Sequence, residues 1–216
     1  MKKTILFQGD SITDCGRNNC GGAGYCCGET GPGYPGMIAG RLACDMPETE
    51  WIFYNRGISG NRVVDLYARW KCDGINLAPD IVSILISVND TWHGIACDNG
   101  VEPERYERIY REILAWTREK LPDVQFVLME PFILDIGAVV ESGGDWHRDI
   151  AARQDTVRRL AAEFDAVFLP LQKLFNDAAL RAAPGHWLAD GVHPTPAGHQ
   201  LITDAWLEAA KKLLGR

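Results

Sequence analysis

The strongest constraint on the fold is a run of six residues near the middle of the chain. Residues 81–86 read Ile-Val-Ser-Ile-Leu-Ile, so both faces of an extended segment would be apolar. A strand with one face in water alternates apolar and polar residues, whereas a central parallel strand is covered by helices on both faces. The run therefore predicts a central strand of a parallel sheet, and parallel strands need crossover connections, which are usually helices.

Shorter apolar segments with helical patterns between them extend this prediction to the whole chain. Further strands are predicted at residues 5–8, 51–55, 125–129 and 166–169. Helices are predicted at residues 38–44, 62–70, 103–121, 150–164 and 171–182 and after Thr195-Pro196, and polar turns follow the strands. This alternation predicts an α/β fold with a five-stranded parallel sheet and helices on both faces. A chain of 216 residues suits one compact domain, predicted over residues 1–216.

Composition and charge exclude several classes of partner. A net charge of −7 argues against nucleic acid or an anionic membrane surface as the main partner. No apolar run approaches the roughly 18 residues of a membrane span. The start Met1-Lys2-Lys3 resembles that of a signal peptide, but the apolar stretch that follows it is too short for one. The sequence therefore predicts a cytoplasmic protein that contacts neither nucleic acid nor membrane.

Four of the seven cysteines crowd one glycine-rich loop, residues 15–27: Cys15, Cys20, Cys26 and Cys27. The loop lacks the paired C-x2-C spacing with nearby histidine that zinc sites favour. We therefore predict reduced thiols and no metal, with a redox or metal role of this loop as the minor alternative. The wider loop over residues 15–36 is long enough to be expected to line a site.

Small polar residues follow three predicted strands. Ser11 comes after the first strand in Gly9-Asp10-Ser11, Gly60 follows the second, and Asn89 follows the third. The carboxyl ends of parallel strands meet at one edge of the sheet, where ligands bind. By itself, Ser11 is equally consistent with a nucleophile and with an anion-binding hydroxyl at a helix N-terminus.

Residues near the C-terminal end of the chain favour a nucleophilic role for Ser11 over an anion-binding one. Asp190 and His193 are three residues apart before the last predicted helix, so a single turn can present both side chains together. Ser11 is then the predicted nucleophile, His193 its general base and Asp190 the group that holds the imidazole tautomer. The Ser11 and Gly60 backbone N–H groups and the Asn89 amide are the predicted oxyanion hole of an acyl-transfer site.

These four blocks, in this order and over nearly the whole chain, resemble the SGNH (GDSL) hydrolase family. The resemblance implies a flavodoxin-like three-layer α/β/α sandwich, with Ser11, Gly60, Asn89 and His193 as the signature residues. One departure is visible, because Ser87 stands where the third block usually has glycine in Gly-x-Asn-Asp. We expect this serine to affect the local backbone but not the Asn89 amide.

The fuller strings at residues 9–17, 55–61 and 89–92 look most like those of bacterial carbohydrate acetylesterases, with intracellular acetylxylan or xylo-oligosaccharide esterases as the nearest type. This implies a small-molecule ester substrate, an acetylated sugar, and neither metal nor organic cofactor. The sequence leaves open whether the protein forms a homo-oligomer. Trp92 and Trp187 flank the site residues and are predicted to contact sugar, although core packing accounts for either equally well.

Three alternatives remain open from the sequence. A lysophospholipase or thioesterase of the same superfamily would accept longer acyl chains. A flavodoxin-like nucleotide-binding protein would hold phosphate over Ser11 and Thr13, but it would leave Asp190 and His193 unexplained. A non-catalytic sugar-binding relative is the third. The other histidines are predicted to be surface or structural residues: His93, His147, His186 and His199.

Overall fold

A computed structural model of the chain describes residues 2–18 and 29–215. Its centre is a five-stranded sheet in which all neighbouring strands run parallel, in the order β2-β1-β3-β4-β5. The strands are β1 (Lys2–Gly9), β2 (Glu50–Asn55), β3 (Ile81–Leu85), β4 (Gln125–Met129) and β5 (Val167–Leu169). All five predicted strands are therefore confirmed, and β3, with every residue buried, is the central one.

Helices connect the strands and continue the chain after β5. They are α1 (Ser11–Asp14), α2 (Tyr34–Asp45), α3 (Val63–Asp73), α4 (Val88–Cys97), α5 (Pro103–Lys120), α6 (Ala138–Glu141), α7 (Trp146–Glu163), α8 (Leu171–Ala179), α9 (Pro184–Trp187), α10 (Pro196–Ala209) and α11 (Lys211–Leu214). The prediction of a polar turn around Asn89 was wrong, because Asn89 lies in the first turn of α4. Asparagine, threonine and glycine are weak helix formers, so packing rather than intrinsic propensity sustains this helix.

The two faces of the sheet carry separate parts of the core. From β3, Ile81 and Leu85 pack on one side with residues of α2, α8 and α10. Val82 and Ile84 point to the other side and pack with residues of α3, α5 and α7. Successive side chains of a strand alternate between faces, so burial on both faces requires a helix layer on each. The molecule is thus the predicted three-layer sandwich, with the flavodoxin-like strand order.

The strand order also defines where a ligand fits. The chain leaves β1 towards β2 at one edge and returns to β3 on the other side of β1. The crevice at the carboxyl ends of β1 and β3 is the topological switch point, the usual ligand site of such sheets. Ser11 directly follows β1, and Asn89 follows β3 by a few residues. The fold therefore brings two of the predicted site residues to the same edge.

The described part of the chain bears on three further predictions. None of its helices is long and apolar enough to cross a membrane. Cys15, Cys44, Cys72 and Cys97 are free thiols, while Cys20, Cys26 and Cys27 lie outside the described residues. No three His, Cys, Asp or Glu side chains within residues 2–18 and 29–215 are grouped so as to hold a metal ion.

Candidate active site

The junction between β1 and α1 fixes the position of Ser11. A Cβ on Gly9 would lie 2.2 Å from the Leu85 carbonyl oxygen, so only glycine lets β1 pass β3 this closely. Asp10 is the N-cap of α1, and its Oδ1 accepts the Ile12 N–H at 3.0 Å. Ser11 is therefore held as the first residue of α1, at the end of the strand.

Ser11, His193 and Asp190 form a continuous hydrogen-bonded chain. Ser11 Oγ lies 2.8 Å from His193 Nε2, and His193 Nδ1 lies 2.7 Å from Asp190 Oδ2. The two ends of the chain sequence, 182 residues apart, thus meet across the carboxyl edge of the sheet. The arrangement matches the order nucleophile, base and orienting carboxylate.

A tight turn presents Asp190 and His193 together. Asp190 Oδ1 accepts the backbone N–H groups of Val192 at 3.0 Å and His193 at 2.8 Å. Partial burial disfavours the charge on Asp190, but the hydrogen bonds from His193 and Val192 outweigh it and hold the pKa of Asp190 below its usual value. An ionised carboxylate only accepts, so the Nδ1 atom of His193 carries the proton and Nε2 accepts from the Ser11 hydroxyl.

Gly60 and Asn89 lie on neighbouring turns joined by a hydrogen bond. The Asn89 Nδ2 atom donates to the Asn61 carbonyl at 3.1 Å, and Asn89 is 6% exposed. Gly60 has a φ of +84°, in the left-handed region that favours glycine, and a Cβ there would meet nothing within 4 Å. The glycine is therefore required by backbone conformation, and its open side leaves room beside the turn.

Ser87 shows the effect of the departure from the family pattern. Its φ is 149°, a value that L-residues rarely adopt, and it precedes α4 as the N-cap. Glycine adopts such a φ without steric cost, whereas the serine at this position is strained. Such strained residues cost about 1–3 kcal/mol.

We expect Ser87→Gly to stabilise the protein. Relief of the strain outweighs the added flexibility of glycine in the unfolded chain, so the free energy of unfolding should rise by about 1 kcal/mol. Urea denaturation measures the change. As a control, Ala151→Gly on the exposed face of α7 should lower the free energy of unfolding by about 1 kcal/mol. A loss of stability in Ser87→Gly would contradict the assignment of strain.

The two tryptophans proposed from the sequence differ in position. The Trp92 ring is half-buried, its centroid lies 5.8 Å from that of His193, and Trp146 packs against it edge-on at 5.6 Å. Trp187 is only 9% exposed and packs in the core, with the Arg181 guanidinium 5.0 Å over its ring. Trp92 therefore adjoins the site, whereas Trp187 has little surface left to offer a sugar.

Sequence reasoning assigned no role to Asn55, at the end of β2. Its Nδ2 donates to the Thr13 carbonyl at 2.7 Å and to the Thr30 carbonyl at 3.0 Å, while its Oδ1 accepts the Gly57 N–H at 2.9 Å. This buried amide ties α1 to the turn that carries Gly60. An asparagine directly after an apolar strand is the only signal in the sequence that could have indicated it.

Two aspartates beside the signature residues, Asp10 and Asp90, accept hydrogen bonds from backbone N–H groups of neighbouring segments. Asp10 caps α1, and both carboxylate oxygens of Asp90 lie within 3.2 Å of the Val63 N–H. Burial raises the pKa of Asp10 to about 7, although the hydrogen bond from Ile12 and the nearby His193 both act to lower it. Burial likewise raises the pKa of Asp90 to about 7, although the positive charge of Arg153 acts to lower it.

The predicted structural role of His199 is confirmed. Its Nδ1 accepts the Tyr34 N–H at 3.2 Å, and its Nε2 lies 3.3 Å from Cys15 Sγ. Burial lowers the pKa of His199 to about 4, and His193 adds to this effect, so His199 is neutral near pH 7. His199 therefore anchors α10 beneath the loop after α1 rather than taking part in proton transfer.

The site is open to solvent. The side chains of His193 and Asp190 are 39% and 36% exposed. A depression of about 570 Å³ lies between α2 and α10 and is not lined by Ser11 or His193. Within the described residues, the side chains of His193 and Asp190 are therefore accessible at the edge of the sheet.

Comparison with known proteins agrees with the fold and the motifs. The model of the GDSL-like lipase/acylhydrolase family matches residues 7–201. The acetylxylan esterase of Geobacillus stearothermophilus is 34% identical over 207 residues, which cover 94% of this chain and 91% of that enzyme.

Solved structures agree as well. A protein of Parabacteroides merdae described as a GDSL-like lipase superimposes with a TM-score of 0.91 at 41% identity, covering 96% of this chain and 94% of that one. The acetylxylan esterase of Geobacillus stearothermophilus superimposes with a TM-score of 0.86 at 33% identity, covering 96% and 93%. Further structures of that esterase are described as catalytic mutants in which a serine or a histidine is replaced by alanine.

Proposed function

The chain belongs to the GDSL-like lipase/acylhydrolase family and is a carboxylic ester hydrolase, and we propose that it is a serine esterase that removes acetyl groups from acetylated carbohydrates. The hydrogen-bonded chain from Ser11 through His193 to Asp190 carries this proposal. We further propose that residues 1–216 act as one hydrolase domain.

In the proposed mechanism, Ser11 Oγ attacks the ester carbonyl carbon while His193 Nε2 takes the hydroxyl proton. The carbon–oxygen bond to the sugar breaks as the imidazolium of His193 returns that proton to the leaving alcohol. This leaves an acyl-enzyme on Ser11. Water, deprotonated by His193, then attacks the acyl carbon. The bond from that carbon to Ser11 Oγ breaks as His193 returns the proton to Oγ, and acetate is released. The ionised Asp190 keeps the proton on Nδ1 and stabilises the imidazolium in both steps.

The negative oxygen that forms in each step needs hydrogen-bond donors. We assign the Ser11 and Gly60 backbone N–H groups and the Asn89 amide to this role. An amide nitrogen carries two N–H groups, and one of those on Asn89 donates to the Asn61 carbonyl, so the other can face the substrate. One such donor is worth about 10²–10³ in kcat.

Three observations support an acetylated carbohydrate as the substrate. The open site admits a large alcohol portion, and Trp92 beside His193 offers an aromatic face to a sugar ring. The acetylxylan esterase of Geobacillus stearothermophilus is similar over 94% of this chain. Because Trp187 is buried, the proposed sugar contact rests on Trp92 alone.

The test is the dependence of the initial rate on acyl length, measured with 4-nitrophenyl esters from acetyl to octanoyl. We expect kcat/KM to be highest for acetyl and to fall with every longer acyl group. Acetylated xylosides, with release of acetate measured, are the second substrate series, and Trp92→Ala should raise KM for these more than KM for 4-nitrophenyl acetate.

Rates that rise with acyl length would instead favour a lysophospholipase or thioesterase. A thermal shift on adding FMN or another nucleotide, with no hydrolysis of any ester, would favour the nucleotide-binding alternative. Either outcome would contradict the proposed acetylesterase.

A further inference from the structure

We propose that Arg69 on α3, outside all four signature blocks, is a positioning residue that orients the Asn89 amide by holding Asn61. The inference rests on the proposed function, because it takes Asn89 as an oxyanion donor. Among the described residues, Arg69 makes no hydrogen bond to Ser11 or His193, and its Nη2 lies 3.5 Å from the Gly9 carbonyl oxygen, two residues before Ser11.

The first link joins Asn89 to the turn that carries Gly60. Asn89 can rotate its amide about the bond to Cβ, so its direction depends on what fixes it. The Asn61 carbonyl accepts one amide N–H at 3.1 Å and sets the plane of the amide. Asn61 directly follows Gly60, so one short segment contributes both a donor and the group that aims a second donor.

The second link joins this segment to α3. Arg69 Nε donates to Asn61 Oδ1 at 2.8 Å, a hydrogen bond strengthened by the positive charge. The Asn61 N–H donates to the Ile58 carbonyl at 3.1 Å within the turn. With both its backbone and its side chain held, Asn61 has little freedom to turn its carbonyl away from Asn89.

Arg69 is itself anchored at several points, as a positioning group must be. Its Nη1 pairs with Asp73 Oδ2 at 3.2 Å one turn along α3, and its side chain is 16% exposed. The Asp73 carbonyl accepts Gln8 Nε2 at 2.7 Å, which ties this turn of α3 to β1. A planar guanidinium can serve Asn61 and Asp73 at once, whereas a lysine ammonium is a single point charge.

The expected kinetic effect follows from this geometry. If Arg69 is lost, Asn61 and the Asn89 amide gain freedom, and part of the 10²–10³ carried by one oxyanion donor should disappear. We expect Arg69→Met to lower kcat for 4-nitrophenyl acetate about 10–50-fold. KM should change less than about threefold, because oxyanion contacts form in the transition state.

The decisive experiment is a double-mutant cycle with Arg69→Met and Asn89→Ala. In the Asn89→Ala background the amide to be positioned is absent, so Arg69→Met should cost less than about threefold in kcat. Arg69→Lys, which keeps the charge and one donor, should recover part of the lost kcat in the wild-type background. An equal loss of kcat from Arg69→Met in both backgrounds would overturn the proposal, as would an unchanged kcat in the single variant.

Two further variants keep the test valid if Arg69→Met folds poorly. Asn61→Leu removes the side-chain acceptor but keeps the carbonyl, and it should lower kcat by a factor similar to that of Arg69→Met. A kcat within twofold of wild type in Asn61→Leu would also overturn the proposal. Arg41→Met is the matched control: Arg41 pairs with Asp45 at 2.9 Å one turn along α2 and makes no described contact with Asn61, so kcat should stay within about twofold of wild type.

Ser11→Ala in the same series distinguishes a failure of the proposed function from a failure of the positioning role of Arg69. If Ser11→Ala keeps its activity, the proposed function fails. If Ser11→Ala and Asn89→Ala lose activity while Arg69→Met and Asn61→Leu keep it, only the positioning role fails.

Discussion

Ser11→Ala is expected to lower kcat for 4-nitrophenyl acetate by at least about 10⁴-fold, because it removes the proposed nucleophile. The hydroxyl donates to His193 at a site that is partly open to water, so its loss should change Tm by only a few degrees. Steady-state kinetics and thermal unfolding of the same preparation measure both quantities. A loss of activity with an intact fold would show that the substitution affects catalysis and not stability. Full activity with an intact fold would contradict the role of Ser11.

Ser59→Ala is the matched control for this substitution. Ser59 lies in the neighbouring turn, is exposed and donates to Asp14 at 2.8 Å. The substitution Ser59→Ala therefore removes a hydroxyl close to the site and leaves the contacts of His193 unchanged. We expect kcat within about twofold of wild type for this variant. A larger loss in Ser59→Ala than in Ser11→Ala would contradict the assignment of the nucleophile.

The second large effect is expected for Asp190→Asn, which should lower kcat about 10²–10³-fold. Asparagine keeps the turn but presents an N–H₂ group that favours the wrong imidazole tautomer, and it cannot stabilise the imidazolium. The corresponding change at a buried triad costs about 10⁴-fold. His193 and Asp190 are 39% and 36% exposed, so water replaces part of the lost interaction and the effect should be smaller.

The chain offers a closely matched control for Asp190→Asn. Asp135 Oδ1 lies 2.7 Å from His147 Nε2 in an exposed pair with the same chemistry and no link to Ser11. Asp135→Asn should leave kcat within about twofold of wild type. A loss of less than threefold in Asp190→Asn, or an equal loss in both variants, would contradict the triad.

The sheet was predictable because its signal is local. Short runs that are apolar on both faces are typical of central parallel strands, and β3 and β4 lie where those runs predicted strands. Helix α4 was missed because its residues are weak helix formers around Gly94, and its stability comes from contacts with distant segments. Residue types and their order also predicted the pairing of Ser11 with His193.

The groups that position the site could not be predicted in the same way. Arg69 looks like an ordinary helix-surface arginine, and only the packing of α3 beneath the turn at Asn61 gives it a partner there. Trp187 lies three residues before Asp190, yet that proximity does not determine its direction, and its ring turns into the core. Hydrogen bonds between distant segments leave no periodic pattern in the sequence.

Whether Ser11 forms the covalent intermediate can be determined by labelling the protein with diethyl 4-nitrophenyl phosphate and mapping the modified peptide by mass spectrometry. Attack by an activated serine transfers the diethylphosphoryl group and releases 4-nitrophenol. We expect a single label on Ser11, formed in step with the loss of esterase activity and greatly slowed in His193→Ala. A label on any other residue, or complete inactivation with Ser11 unmodified, would contradict this role of Ser11.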